Sequence, residues 1–207
     1  GICKRSIEET SMKRSIVLGL IAAVLSFPIF ASESTWQIDP DHSNLQFKIQ
    51  HLTVSNVKGS FAKAKGVVNI DSQNLADLKV DLTIDVASIN TNHAERDEHL
   101  RGPDFFDVAK YPVITFVSKK VTPTGINRLK VTGDLTIRNI TREVTVDVEG
   151  PTPEVKDPWG NLRRGATGTT RINRKDFGIT WNKVLDTGGL VVGDEVDITV
   201  EVELVRK

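Results

Sequence analysis

Most of this chain alternates apolar and polar residues at every second position, a pattern that cannot sit on a helix. Leu45, Phe47 and Ile49 alternate with Gln46, Lys48 and Gln50, and Val80, Leu82, Ile84 and Val86 with Asp81, Thr83, Asp85 and Ala87. The longest run sets Leu129, Val131, Gly133, Leu135 and Ile137 against Lys130, Thr132, Asp134, Thr136 and Arg138. Val144, Val146 and Val148, and then Val196 to Leu204, repeat it. Successive side chains of a strand point to opposite faces, so each run has one dry and one wet face. That is the signature of an all-β, antiparallel fold. Phe61 to Ile70 and Ala166 to Ile172 read as weaker strands, rich in small residues that leave room on one face or allow a bend. Turn signals at Asp71 to Asn74, Pro123 to Asn127, Asn139 to Thr141, Pro151 to Pro153, Asp157 to Asn161 and Gly188-Gly189 separate the runs. About eight strands with one dry face each must pool those faces. A two-sheet sandwich and a closed barrel both do so, and periodicity leaves both open.

One segment breaks the pattern. Asn92 and Glu95 have the spacing of a capping box, which predicts a short helix over about residues 93–101. Gly102 suits a left-handed C-terminal position, and Pro103 ends the helix. Phe105 and Phe106 then stand together in a polar setting, as aromatics that dock on an apolar surface do. Pro112 restarts extended chain, and Ile114 and Phe116 alternate with Thr115 and Val117. Residues 92–107 are therefore expected to form a helical insert, a lid or plug, between two strands.

Lys13 and Arg14, the apolar run Ile16 to Phe30 and the small Ala31 predict a secretory signal peptide over 12–31. The apolar run is short of the roughly 20 residues a spanning helix needs, so no stable membrane insertion is expected after cleavage. Residues 1–11 read as upstream translated sequence or a cloning remnant, and 32–207 as a single domain. The lone Cys3 lies before Met12. A mature chain without cysteine has no disulfide, thiol nucleophile or Cys-based metal site. Twenty-seven basic residues balance 27 acidic ones, which gives no electrostatic reason to expect nucleic acid as a partner.

Three constellations invite a chemical reading. Asp41-His42-Ser43 holds the residue types of a hydrolytic triad, but neighbours on extended chain point in alternating directions and cannot line up. A turn shaped by Asp41 and Ser43 explains them. His93, Glu95, Asp97 and His99 suggest a metal, yet the two histidines are six apart and fall on different helix faces, unlike a zinc signature. Arg96, Asp97 and His99 either tie the insert to strand ends or ring a pocket mouth. Asn173 to Trp181 reads as a turn with aromatic packing. Asn139-Ile140-Thr141, formally a glycosylation acceptor, reads as a hairpin turn.

With Trp36 to Asp39, His42-Ser43, His51-Leu52, Gly59 to Phe61, Ser88 to Thr91, Arg96 to Leu100, Asp104 to Asp107, Tyr111-Pro112, Phe116 to Ser118, Gly133 to Leu135, Asp157 to Gly160 and Arg174 to Gly178 in that order, the chain resembles the YceI family of small secreted bacterial proteins. It departs at Asn139, where that family usually has Gly after Arg138, but Asn also tolerates a left-handed turn. The resemblance implies an extended, lipocalin-like antiparallel β-barrel; no cofactor is expected, and no metal, given the missing cysteines and the histidine spacing. It implies a long amphiphilic lipid as partner: a polyisoprenoid, an isoprenoid quinone or a fatty-acid amide. A homodimer is left open. The expected function is a periplasmic or secreted binding protein, not an enzyme. The alternation then nominates a tail site: Leu45, Phe47, Ile49, Leu82, Ile84, Phe116, Leu135, Ile137, Val146 and Ile198. Arg96, Asp97 and His99 are candidates for the head group. The rival readings are a hydrolase or metal-dependent enzyme acting at the insert through those same three residues, and a filled barrel that binds protein.

Overall fold

The computed structural model describes residues 33–71, 73–186 and 188–207, within one compact unit, Ala31–Lys207. The expected signal peptide lies outside the described residues. Twelve strands form a single antiparallel sheet: β1 (Glu33–Ile38), β2 (Asn44–His51), β3 (Ser55–Phe61), β4 (Ala64–Asp71), β5 (Lys79–Asp85), β6 (Ile89–Asn90), β7 (Val113–Gly125), β8 (Arg128–Ile137), β9 (Ile140–Glu149), β10 (Val155–Lys156), β11 (Leu162–Asn173) and β12 (Val192–Arg206). The helix α1 (Ala94–Arg101) lies between β6 and β7.

The twelve strands make eight staves, because four pairs share a stave; one of these is β9 with β10, which both pair with the same edge of β11. β1 and β2 both pair with the same edge of β12, β1 near Leu204 and β2 from Glu201 to Val192. They are one stave broken at residues 39–43. β3 and β4 likewise form one stave, broken at Ala62 and Lys63, and β5 and β6 another, broken by a 3-10 turn at Val86–Ser88. The last two breaks satisfy each other, since the Ala62 and Lys63 amides donate to the Ser88 carbonyl and hydroxyl and the Asp85 amide to the Lys63 carbonyl. Backbone groups freed from a ladder must find such partners. Pairing of β11 with β12 over eleven rungs closes the ring that runs on through β9, β8, β7, β5 and β4 to β1. A sheet closed on itself has no edge, and of the two architectures that the alternation allowed, the barrel is the one adopted. Its weakest seam joins β9 to β11 through three rungs, Thr167 to Thr169.

The inward residues divide the interior. On β4, β5, β7 and β8 they are buried and packed, as with Ile70, Leu82, Phe116, Leu129 and Ile137. On β2, β9 and β12 their counterparts Phe47, Ile49, Val146, Ile198 and Val200 keep partial exposure. One wall is closely packed. The other is looser, and both face the barrel interior.

Two local expectations are corrected. The α1 cap is His93, whose Nδ1 accepts from the Arg96 amide at 3.2 Å. Asn92 instead takes a left-handed backbone, φ 58°, which Asn tolerates better than most residues, so Asn92 and Glu95 form no capping box. Gly102 is extended, φ −75° and ψ 176°. The chain is reversed farther on by Asp107, φ 50°, buried with its amide donating to the Gly102 carbonyl. The insert itself docks as expected. Phe105 is buried, and Phe106 meets Phe61 edge-on at 5.9 Å.

Candidate functional site

A cavity of about 460 Å³ occupies the barrel interior and is lined from both walls, within the range of small-molecule sites. Its body is apolar, built by Leu45, Phe47, Ile49, Leu82, Ile84, Phe116, Leu135, Ile137, Val146 and Ile198. All ten residues nominated for a tail are thus brought together. Ala166, Gly168 and Thr170 of β11 add small inward side chains that widen it. At Gly168 an added Cβ would lie 3.0 Å from Val146. The only hydroxyl in the lining, that of Thr170, is spent on the Thr145 carbonyl at 2.8 Å.

Apart from Gln46 and Thr170, the polar lining is Gln50, His51, Arg96, His99 and Arg174, with Trp181 beside His99. Three aromatic rings form a collar there. His99 stands edge-on to Phe105 at 5.0 Å and to Trp181 at 5.3 Å, and its Nε2 lies 3.0 Å from Asp104 Oδ2. Arg96 donates through Nε to the Thr91 hydroxyl and through Nη2 to the Thr91 carbonyl, while its Nη1 has no protein partner among the described residues. Asp97 is not brought to the cavity. It is buried, and its carboxylate accepts from the Thr91 amide at 2.8 Å and the Thr91 hydroxyl at 2.6 Å, so it anchors the insert and drops out as a head-group contact. Arg174, which sequence reasoning left in a structural turn, is 4% exposed. Its guanidinium donates to the carbonyls of Gly193, Ile179 and Trp181, which fixes the segment carrying Trp181. Burial holds its pKa below the ordinary guanidinium value despite nearby Asp194. No local pattern marks such a clamp, because its partners are carbonyls.

A family model described as the YceI-like domain matches residues 36–204. This chain belongs to the YceI-like family. Among YceI-like relatives, a UPF0312 protein of Vibrio parahaemolyticus is 40% identical over 170 residues, 81% of this chain and 89% of that protein. The crystal structure of Burkholderia cenocepacia BcnA is 30% identical and covers 80% of this chain and 98% of its own, with a TM-score of 0.68. A polyisoprenoid binding domain from Saccharophagus degradans shares the fold at 16% identity and a TM-score of 0.60, over 85% of this chain and 100% of its own.

Other residues that carried the YceI resemblance converge outside the barrel. Arg163 donates to Asp157 Oδ2 at 2.7 Å, to Asp39 Oδ2 at 2.8 Å and to Glu203. Asp157 also accepts from the Trp159 and Asn161 amides. The Arg163 guanidinium, followed by the His42 contact, lowers Asp39 to about 2. Arg163 likewise holds Asp157 far below the carboxylate range, and Asp39 raises His42. Asp39, and not Asp41, therefore shapes the first turn, accepting from the Asp41 amide and His42 Nδ1. Ser43 accepts from the Glu203 amide. No triad forms. Asp39, His42 and Glu203 are the one group of potential metal ligands among the described residues. An arginine already bonded to both carboxylates makes that site a poor fit for a cation. The histidines and carboxylates of the insert form no such group.

Proposed function

We propose that this protein is a binding protein that holds one long amphiphilic lipid, its tail along the β2, β12, β11 and β9 wall and its polar head at the aromatic collar. The observation that carries this reading is the segregation of the cavity lining. Apart from Gln46 and Thr170 the body offers hydrocarbon, whose burial is favourable but non-directional, at roughly 25 cal/mol per Å². The mouth offers His51, His99 and the free Nη1 of Arg96. A partly buried cation left with an open donor suits a phosphate or carbonyl oxygen. The ligand classes that fit are a polyisoprenoid, an isoprenoid quinone and a fatty-acid amide. The name of the Saccharophagus domain supports the first. The apolar run before residue 31 supports export and a periplasmic or secreted site of action.

Catalysis at the insert is the weaker reading. His99 and Asp104 are paired as a base and its orienter would be, but among the described residues the lining offers no free hydroxyl or thiol nucleophile beside them, and the insert contributes to no group of three potential metal ligands. Mass spectrometry of an organic extract of the purified protein tests the proposal. A stoichiometric amphiphile with a long hydrocarbon chain is expected. An empty extract, with turnover of ester or phosphate substrates that His99→Ala abolishes, would replace it with the hydrolase.

A further inference from the structure

The cavity mouth carries an apolar rim that its collar does not use. The β2–β3 hairpin projects Val54, 81% exposed, and the adjoining loop projects Val184, 73% exposed, and Leu190. These are neighbouring tips on one rim. The Leu52 amide donates to the Val191 carbonyl at 2.9 Å, His51 pairs with Val192, and Val184 and Leu190 form a bridge that closes the second loop into a small hairpin. The first tip is built at a cost to the backbone. Leu52 and Thr53 both take left-handed conformations, φ 52° and 61°, where a two-residue turn ordinarily has Asn and Gly and a β-branched residue is an outlier. Strain kept at an exposed tip points to a use for what the tip displays. Beside the tips lies Trp181, part of the collar, with the Lys183 ammonium 5.9 Å from its ring centre. Exposed aliphatic tips, an indole at the border and a lysine form the sequence of groups that a membrane interface takes up from its acyl boundary to its head groups.

We propose that this rim is a bilayer-docking surface that sets the cavity mouth against the lipid from which the ligand is drawn. This deepens the lipid-binding reading and rests on it. The occupant is a lipid surface because the rim is continuous with the opening of an apolar cavity, and a water-insoluble chain must reach that opening without crossing water. Contact through three aliphatic side chains is shallow and reversible, as a carrier that leaves again requires.

The test uses the polypeptide from Ala31 to Lys207, which carries the closed barrel and its entire core, so that the apolar run before it does not bind vesicles on its own. Co-sedimentation with vesicles of phosphatidylethanolamine and phosphatidylglycerol is compared for this protein and its V54D/V184D variant, together with uptake of a fluorescent polyprenol from those vesicles. Val54 and Val184 lie outside the cavity lining, so retention of polyprenol delivered from detergent should be unchanged. Vesicle binding and the rate of uptake should each fall about tenfold or more. Equal vesicle binding by the two proteins overturns the proposal. So does a wild-type dimer that ignores vesicles and that V54D/V184D dissociates, since the rim then belongs to a second copy. Failure to retain polyprenol even from detergent overturns the lipid-binding reading instead, while the vesicle comparison still decides the rim.

Discussion

Arg163 and Arg96 show how one guanidinium can be structural and another free to act. Arg163 meets three carboxylates, Asp157 through Nε and Asp39 and Glu203 through Nη1, and its removal leaves them facing one another, whereas Arg96 meets no carboxylate among the described residues. The Arg163→Gln variant should melt several degrees lower at pH 7, and the gap should close as the pH falls toward 2. The sign follows from the shifts. Asp39 is depressed from 3.8 to about 2, so its contribution is complete above its ordinary value and is lost as pH drops through the folded one. His42 is raised from 6.5, so its share is present below that value and fades as pH rises. The pair therefore contributes most between those two ordinary values. A melting difference independent of pH would remove the charge argument. Arg96 lines the cavity, with Nε and Nη2 committed to Thr91 and Nη1 without a protein partner among the described residues. Arg96→Ala should weaken binding of an amphiphile with a phosphate or carbonyl head about tenfold. Binding of a plain hydrocarbon of equal length should stay the same. If both ligands weaken together and the melting temperature drops, Arg96 is only an anchor for the insert.

At the scale of elements, the two walls of the barrel differ in what their inward side chains do. Ile137 on β8 and Ile198 on β12 both line the cavity, but Ile137 is 6% exposed and packed into the core, while Ile198 keeps partial exposure. Ile137→Ala should destabilise by about 3 kcal/mol, the cost of lost transfer energy plus a new cavity. Ile198→Ala enlarges a cavity already there and should cost about 1 kcal/mol. Denaturant melts of the empty protein give both numbers, and equal losses would mean that the two walls pack alike. The helical insert shows which local signals carry weight. Its position and its docking aromatics were legible because Pro103, Phe105, Phe106 and Pro112 act through sterics and burial that hold in any context. Its cap was not, since His93 and Asn92 compete for the same place and the backbone path into the helix decided between them.

For the whole molecule, a ligand that binds only the folded state stabilises it by mass action, about 2.7 kcal/mol at one hundred times its dissociation constant. Extraction of bound lipid should thus lower the melting temperature by roughly 5 to 10 °C for a domain of this size, and adding polyprenol back should restore it. Prolonged chelator dialysis should leave it unchanged, because Arg163 occupies the one convergence of imidazole and carboxylates among the described residues. A fall in melting temperature that zinc reverses would contradict this.

The alternation by itself determined which residues face inward, because the side-chain period of a strand is fixed by its backbone and each run is dry on one face only. It therefore nominated ten side chains that all line the cavity. It could not say that the sheet closes, since a sandwich buries the same faces, nor that one wall packs closely while the other stays loose around a cavity. That depends on how side chains from opposite staves fill the space between them. The Arg163 cluster was beyond reach for a related reason. Its guanidinium meets Asp39 across 124 positions and Glu203 across 40, and only closure of the barrel brings β1, β11 and β12 side by side so that those charges meet.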